Sequence, residues 1–397
     1  MKKQLLKSNS SLVVMGDAPA WKTTQDFGRL MCLVQSCDFS IENDRQKTKQ
    51  LGSQSYVIND ITRAPQANLS MNYYLTPYMN NELLLGFYGS ANVYEPALRD
   101  LKSRNQNAYI IVDTEENRDG FDLFRSSSPQ TSNFSGFNAL SFGNCYLNKY
   151  SVAFAVNTIP VVNVGFSSSN VRFESLTGSK ISIPAINSVS GNSLNSGFFD
   201  LSGLYQTLTG GYIANDQFPT TEYNPPVTTA NHSEFVLQNL QCGGVGLSAA
   251  SKPILQSFNL DLDLARTDLY GLGSNYVYDR KLEFPANGQV QISCLVSGID
   301  SGNFNSMLTG ESNYSLEVSF ADVAQSNTGF YKIEGAKLDN ISYAMQVNNE
   351  MSFNASFSFQ ANETGGFFTK RRLYLSTPIW GDIPDLWQSI NINWSSL

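Results

Sequence analysis

Histidine occurs once in 397 residues, and charged side chains make up only 15% of the chain, against about 25% in a typical soluble domain. The lone His232 lies in TANHSEF with no G-x-S-x-G before it, so a Ser-His-Asp centre has no anchor. Basic residues are outnumbered, 26 Lys and Arg against 34 Asp and Glu, for a net charge of −8 and a pI near 4.8. That balance opposes a protein that grips duplex phosphates, which needs a basic face. The densest basic clusters, Lys2-Lys3 and Lys370-Arg371-Arg372, read as solvated ends or turns. The five cysteines (Cys32, Cys37, Cys145, Cys242 and Cys294) are odd in number and lack a C-x-x-C spacing. They suit neither a disulfide framework nor a zinc site, and read as small buried side chains of a reducing compartment. No run of 18 apolar residues predicts a membrane helix. The opening MKKQLLKSNSSLVVMG starts like a signal peptide, but Lys7 to Ser11 interrupt the apolar region such a peptide requires.

Other fragments of functional motifs are equally bare. Gly244-Val-Gly246-Leu-Ser-Ala249 has the spacing of a dinucleotide loop without the surrounding βαβ pattern, and Thr177-Gly-Ser-Lys180 lacks the rest of a P-loop. Glu115-Glu116 lies in TEENRDGFD, whose spacing is not that of a calcium loop and whose adjacent acids cannot face each other across a sugar. Nine N-x-S/T sequons follow from abundant Asn and Ser, and several fall in predicted strands. The chain is therefore expected to be no enzyme and to need no cofactor or metal.

What is present is aromatic and repetitive. Apolar residues reach 41% and aromatics 12%. Leu147 to Ser167 (LNKYSVAFAVNTIPVVNVGFS) recurs as Leu338 to Ser358 (LDNISYAMQVNNEMSFNASFS) at an offset of 191. Eight of 21 positions are identical without a gap: Leu147/Leu338, Ser151/Ser342, Ala153/Ala344, Val156/Val347, Asn157/Asn348, Asn163/Asn354, Phe166/Phe357 and Ser167/Ser358. Upstream, Val34 to Ser53 recurs as Leu255 to Ser274 at an offset of 221, with Gln35/Gln256, Ser36/Ser257, Arg45/Arg266, Leu51/Leu272, Gly52/Gly273 and Ser53/Ser274 identical. The blocks keep their order, and the first unit is longer between them by 30 residues, the difference of the two offsets. This reads as one domain duplicated and fused, too few units for a solenoid.

Each unit alternates with a period of two, the mark of half-buried strands. Cys37, Phe39 and Ile41 oppose Asp38, Ser40 and Glu42; Phe258, Leu260, Leu262 and Leu264 oppose Asn259, Asp261 and Asp263. Glu42 and Asp263 are thus equivalent acids on the wet face. Residues 43–55 and 265–276 read as hairpin extensions with Gly52 and Gly273 at the turns. Leu69, Met71, Tyr73 and Leu75 match Val290, Ile292, Cys294 and Val296 as a second strand. Short helices are predicted at Ser301 to Leu308, opposite Asn80 to Phe87, and again behind Pro96 through Ala97, Leu98 and Leu101. Tyr109 to Val112 and the run Tyr314, Leu316, Val318, Phe320 are further strands. The expected architecture is mainly β: an N-terminal arm (1–30), a first antiparallel sandwich or barrel with a short helix (31–170), an insertion or linker (171–252), a second such domain (253–365), and an aromatic extension (366–397) carrying Trp380, Trp387 and Trp394.

Phe330-Tyr-Lys-Ile-Glu-Gly-Ala-Lys-Leu-Asp-Asn-Ile-Ser, a short turn, and then Met351-Ser-Phe-Asn-Ala-Ser-Phe-Ser-Phe resemble the closing hairpin of bacteriophage tail tube proteins. The opening strand, the Leu-Gly-Ser hairpin and the single helix are placed as in that fold. The resemblance covers 255–365 and, less closely, 34–167. It implies a structural virion protein, assembled in the bacterial host cytoplasm without a membrane, whose rings stack into the tube that delivers DNA. With two tube domains fused, three chains complete a pseudo-sixfold ring. The implied partners are the chain itself, the tape-measure protein and DNA in the lumen, and the sheath, baseplate and terminator proteins. On this reading Glu42, Asp44, Asp261 and Asp263 line the lumen, where like charge lets DNA slide, and Arg45, Leu51, Gly52, Arg266, Leu272 and Gly273 form inter-ring hairpins. Two alternatives are a non-polymerising tail component (terminator, distal-tail or baseplate protein) and a secreted carbohydrate-binding β-sandwich using the C-terminal tryptophans.

Overall fold

The computed structural model describes residues 11–18, 25–26, 29–31, 33–43, 45–52, 54–55, 58–61, 66–76, 79–87, 93–102, 104–113, 137–178, 180–186, 197–200, 233–238, 254–272, 276–295, 313–321, 327–345 and 351–373. In chain order the elements are β1 (Ser11–Ala18), β2 (Gln25–Asp26), β3 (Arg29–Leu30), β4 (Val34–Glu42), β5 (Arg45–Thr48), β6 (Ile58–Ile61), β7 (Gln66–Tyr74), α1 (Asn80–Leu85), β8 (Glu95–Pro96), β9 (Asn105–Asp113), β10 (Phe137–Ala155), β11 (Val161–Ser168) and β12 (Asn170–Ser175). There follow β13 (Lys180–Ser182), β14 (Phe198–Asp200), β15 (Ser233–Gln238), β16 (Ile254–Asp263), β17 (Arg266–Tyr270), β18 (Val277–Leu282), β19 (Ala286–Leu295), β20 (Tyr314–Ala321), β21 (Asn327–Ala344), β22 (Ser352–Ala361) and β23 (Phe367–Leu373). The fold is mainly β and built on a large antiparallel sheet.

Eight strands of that sheet run in the order β4-β7-β11-β10-β16-β19-β22-β21. The first four and the last four repeat one order, and the offsets of 221 and 191 carry one register onto the other. Val34↔Tyr73 and Glu42↔Gln66 become Leu255↔Cys294 and Asp263↔Asn287, with the bulge at Gln35 repeated at Gln256. Leu147↔Phe166 and Ala153↔Val161 become Leu338↔Phe357 and Ala344↔Ser352, with the bulge at Asn148 repeated at Asp339. Each bulge is held the same way: Asn148 Nδ2 donates to Ser167 Oγ at 2.8 Å, and Ser358 Oγ donates to Asp339 Oδ1 at 2.8 Å. The identity Ser167/Ser358 is therefore a bulge requirement.

The two longest strands each serve two layers. Up to Cys145, β10 pairs β9 and β12; from Tyr146 on, β10 pairs β11 and then β16. Up to Ala336, β21 pairs β20 and β23; from Lys337 on, β21 pairs β22. Asn144 (φ 52°) and Gly335 (φ 73°), 191 residues apart, are both left-handed, the conformation that Gly and Asn tolerate best. The outer layers so formed pack on one face of the eight-stranded sheet. Alternation sends Leu69, Val164, Phe154, Leu260, Ile292 and Phe357 into one continuous core shared by both halves.

Three expectations change. Residues 1–30 are no mere arm: β1 pairs β9 along its whole length and buries Val13, Val14 and Met15. The span 171–252 is more than a linker: β12 pairs β10, and β15 pairs β20 as β1 pairs β9. The offset of 221 carries β1 onto residues 232–239, around β15, a correspondence of pairing that no matching residue marks. Ala97, Leu98 and Leu101 are buried as expected, but in a turn. There β8 adds to the edge of β23, the Ala97 amide donates to the Phe367 carbonyl at 2.9 Å, and Lys102 meets Glu363 at 2.6 Å, so the extra residues of the first half clasp the second. The helix over 80–87 is present as α1; its counterpart at 301–308 and the three C-terminal tryptophans lie outside the described residues.

Candidate functional site: the open sheet edges

The sheet contains a seam between its halves and ends in two open edges. At the seam β10 pairs β16 from Lys149↔Asp263 to Ala155↔Ser257. The Leu264 amide donates to the Asn148 carbonyl and the Val156 amide to the Gln256 carbonyl, each at 3.0 Å. Antiparallel alternation then directs the amides of residues 258, 260 and 262 across the seam. Phe258, Leu260 and Leu262 are at most 1% exposed, and the Phe154 and Phe258 rings meet edge-on at 5.8 Å.

At one end of the sheet β4 pairs only β7, and at the other the segment Asp339–Ala344 of β21 pairs only β22, among the described residues. Phe39 and Ile41 occupy the positions of Leu260 and Leu262, yet are 43% and 47% exposed. Met345, equivalent to Phe154, is 74% exposed. Completing the burial of side chains this size would contribute on the order of 1 kcal/mol each. Phe39 is partly supported by the rings of Phe142 and Phe173, at 5.5 and 6.4 Å.

Each half also carries a hairpin, β5–β6 and β17–β18, in the same register: Arg45↔Ile61 at the offset of 221 from Arg266↔Leu282. The second is docked on the first half. Arg266 donates through Nε to the Leu147 carbonyl (2.9 Å), through Nη1 to the Arg280 carbonyl (3.0 Å) and through Nη2 to the Leu101 carbonyl (3.1 Å). Burial pushes its guanidinium down to about 10, still charged at neutral pH. Arg280, 2% exposed, donates through Nε to Asp268 at 2.8 Å, and Gln66 of β7 donates to the other oxygen of Asp268 at 2.9 Å. Tyr146 donates to Asp279 at 3.0 Å.

The expected hairpin residues therefore divide. Leu51 and Leu272 stand fully exposed near the tips and Gly52 (φ 86°) makes its turn. Arg45 is exposed on β5. Arg266 is a correction: it is engaged inside the chain rather than presented to another ring. Gly273 lies outside the described residues, as does Asp44. The other acids assigned to a lumen, Glu42, Asp261 and Asp263, are exposed on the face of the sheet opposite the core. That face is chiefly amide and hydroxyl. A shallow trough of about 340 Å³ on it is lined by residues such as Asn259, Gln289, Gln291, Asn340 and Asn354, with no charged side chain.

One titratable cluster lies beneath the seam. The Glu82 carboxylate on α1 accepts from Tyr73 Oη at 2.9 Å and Tyr150 Oη at 3.4 Å, and Tyr150 shares a 2.7 Å hydrogen bond with Tyr331 of the second half. Burial pushes Glu82 up to about 7 and the three tyrosines well above their usual range. Burial also pushes Cys37, Cys145 and Cys294 up to about 12, leaving poor nucleophiles. Sequence reading missed this cluster because its members come from four elements with no shared spacing.

In comparisons with known proteins, no protein-family model matches the chain and no curated protein matches it significantly.

Proposed function

We propose that this chain is a structural subunit of a phage-type tail tube, with two tube domains in one polypeptide, that assembles through its sheet edges into rings and then a conduit for DNA. The carrying observation is the seam. It joins the hairpin strand of the first half to the opening strand of the second, a head-to-tail contact, and leaves one edge of each kind open. Heterologous contacts of this type close into rings when the rotation allows, and exposed edge strands invite pairing. Three chains of eight strands each close a 24-stranded sheet. At about 4.8 Å per strand its circumference is roughly 115 Å and its bore roughly 37 Å between backbones, wider once the strands tilt. With the outer layers on the core face, the amide and hydroxyl face lines that bore. Its few acids repel phosphate and its neutral groups offer no counter-ion, so nucleic acid passes without adhering. Ile41→Pro tests the reading: it removes an amide aimed at the open edge of β4, where proline is tolerated in a free chain. The expected result is a folded monomer that no longer makes rings; rings formed normally by this variant would refute assembly through β4.

A further inference from the structure

The hairpin of the second half docks beside the seam through Arg266, and the arginine, the bulge it binds and its acceptor within the hairpin recur elsewhere in the molecule, while Tyr146, whose ring lies 5.2 Å from the guanidinium, is replaced by Lys337. Arg266 recurs as Arg45, and Leu147, whose carbonyl it binds, recurs as Leu338. The bulge after Leu147 recurs after Leu338 with its own side-chain hydrogen bond. The second acceptor, the Arg280 carbonyl, corresponds to the Asn59 carbonyl in the β5–β6 hairpin, where Lys47↔Asn59 repeats Asp268↔Arg280. Within one chain Arg45 and Leu338 sit at opposite ends of the eight-stranded sheet, seven strand spacings or roughly 34 Å apart. They can meet only in different chains.

We infer that a second copy of this chain docks its Leu338 bulge against Arg45, with β21 of one chain adding to β4 of the next in the register that the seam prescribes. The inference rests on the assembly proposed above and specifies its contact. Carried by the two offsets, the seam pairs of β10 and β16 become Ile341 with Ile41, Tyr343 with Phe39 and Met345 with Cys37 on the core face. On the opposite face they become Asn340 with Glu42, Ser342 with Ser40 and Ala344 with Asp38. Apolar residues thus meet apolar residues across the whole contact, and uncharged or small residues face each carboxylate. A slip of one residue would set Ile341 and Tyr343 against Ser40 and Asp38 and forfeit that match. The copy is also weaker than its template. Arg266 has a third acceptor, the Leu101 carbonyl, from the segment that lengthens the first half. The Asp268–Arg280 pair is replaced by Lys47 and Asn59. A weaker joint between chains than within one suits rings that form after folding.

Disulfide trapping tests the register. Ser40 and Ser342 are equivalent to Asp261 and Ser151, which face each other between the hydrogen-bonded pairs of the seam, where Cα atoms lie close enough for a disulfide. The full chain carrying Ser40→Cys and Ser342→Cys should, on mild oxidation, give covalent dimers and trimers, which neither single variant nor the off-register pair Ser40→Cys with Ala344→Cys gives. Arg45→Ala should raise the concentration needed for rings by about tenfold or more, with a melting temperature lowered far less than by Arg266→Ala, and Arg45→Lys should restore part of the loss. Rings without the Ser40–Ser342 disulfide would overturn the inferred register while leaving the assembly reading standing. Neither rings nor disulfide would overturn both. The disulfide together with wild-type assembly of Arg45→Ala would keep the register and overturn the arginine contact.

Discussion

The β10–β16 seam and the two edges at β4 and β21 carry equivalent strands, paired to each other at the seam and, on the proposed assembly, between chains at the edges. Leu260 and Leu262 are buried in the first, while their equivalents Phe39 and Ile41 are nearly half exposed in the second. The two hairpins differ likewise: β17–β18 is tied to the first half by Arg266, Arg280 and Asp268, whereas the tip and Arg45 of β5–β6 face solvent. Equivalent positions in equivalent backbone differ in burial because at the seam a neighbouring strand covers one set. Apolar side chains left nearly half exposed at an edge strand, Phe39 packed only on one side by Phe142 and Phe173, suit a surface that a further strand would cover.

Changes on the two sides of this comparison should separate folding from assembly. The largest contrast is between Leu262→Pro and Ile41→Pro. The first removes a seam amide and a buried side chain and should destabilise the folded chain by at least about 3 kcal/mol, read by chemical denaturation. The second should leave the denaturation midpoint within experimental scatter. Arg266→Ala follows. It strips donors from three backbone carbonyls and should cost the monomer about 2 to 4 kcal/mol, where Arg45→Ala, at an exposed position, should cost the monomer less than about 1 kcal/mol.

The pH dependence of stability is a third test, of the cluster beneath the seam. The folded state holds the Glu82 proton up to about pH 7 against an ordinary value of 4.5. A carboxyl raised on folding contributes stability that is fully present below its unfolded value and lost as pH rises through the folded one. Denaturation midpoints should therefore fall between about pH 5 and pH 7.5, by on the order of 3 kcal/mol in total. Glu82→Gln should abolish that slope; an equal slope in the variant would place the titration elsewhere. A small effect on folding is also expected on the amide and hydroxyl face. Asp261→Lys should shift stability by no more than about 0.5 kcal/mol and leave assembly intact, while slowing passage of DNA through the tube. Loss of rings would show the acid to be structural.

Much of this was legible in the sequence because alternation reports burial directly. The strands through Phe39, Leu260, Met71 and Ile292 and the turn at Gly52 were readable from period and composition. The opening strand of each unit was not. β1 and the segment around β15 share no identical residue at the offset of 221, and β1 sits in a polar stretch, so only pairing exposes their equivalence. The seam was invisible for a different reason. Phe154 and Phe258 announce a buried face, but nothing in either strand says which edge meets which, since ladder partners are chosen by backbone amides common to every sequence. The pair Arg45/Arg266 reads as a match in the sequence, but the Leu147 carbonyl that accepts from Arg266 lies 119 residues away and no local pattern points to it.

The central claim is that the chain closes on copies of itself through the contact it already makes internally. It is tested most directly by imaging the purified protein by electron microscopy while measuring its mass in solution. The account requires rings of three chains with six lobes around an open bore, alone or stacked into tubes. A compact monomer that forms no ring at any accessible concentration, even in the presence of preformed ring ends, would contradict it.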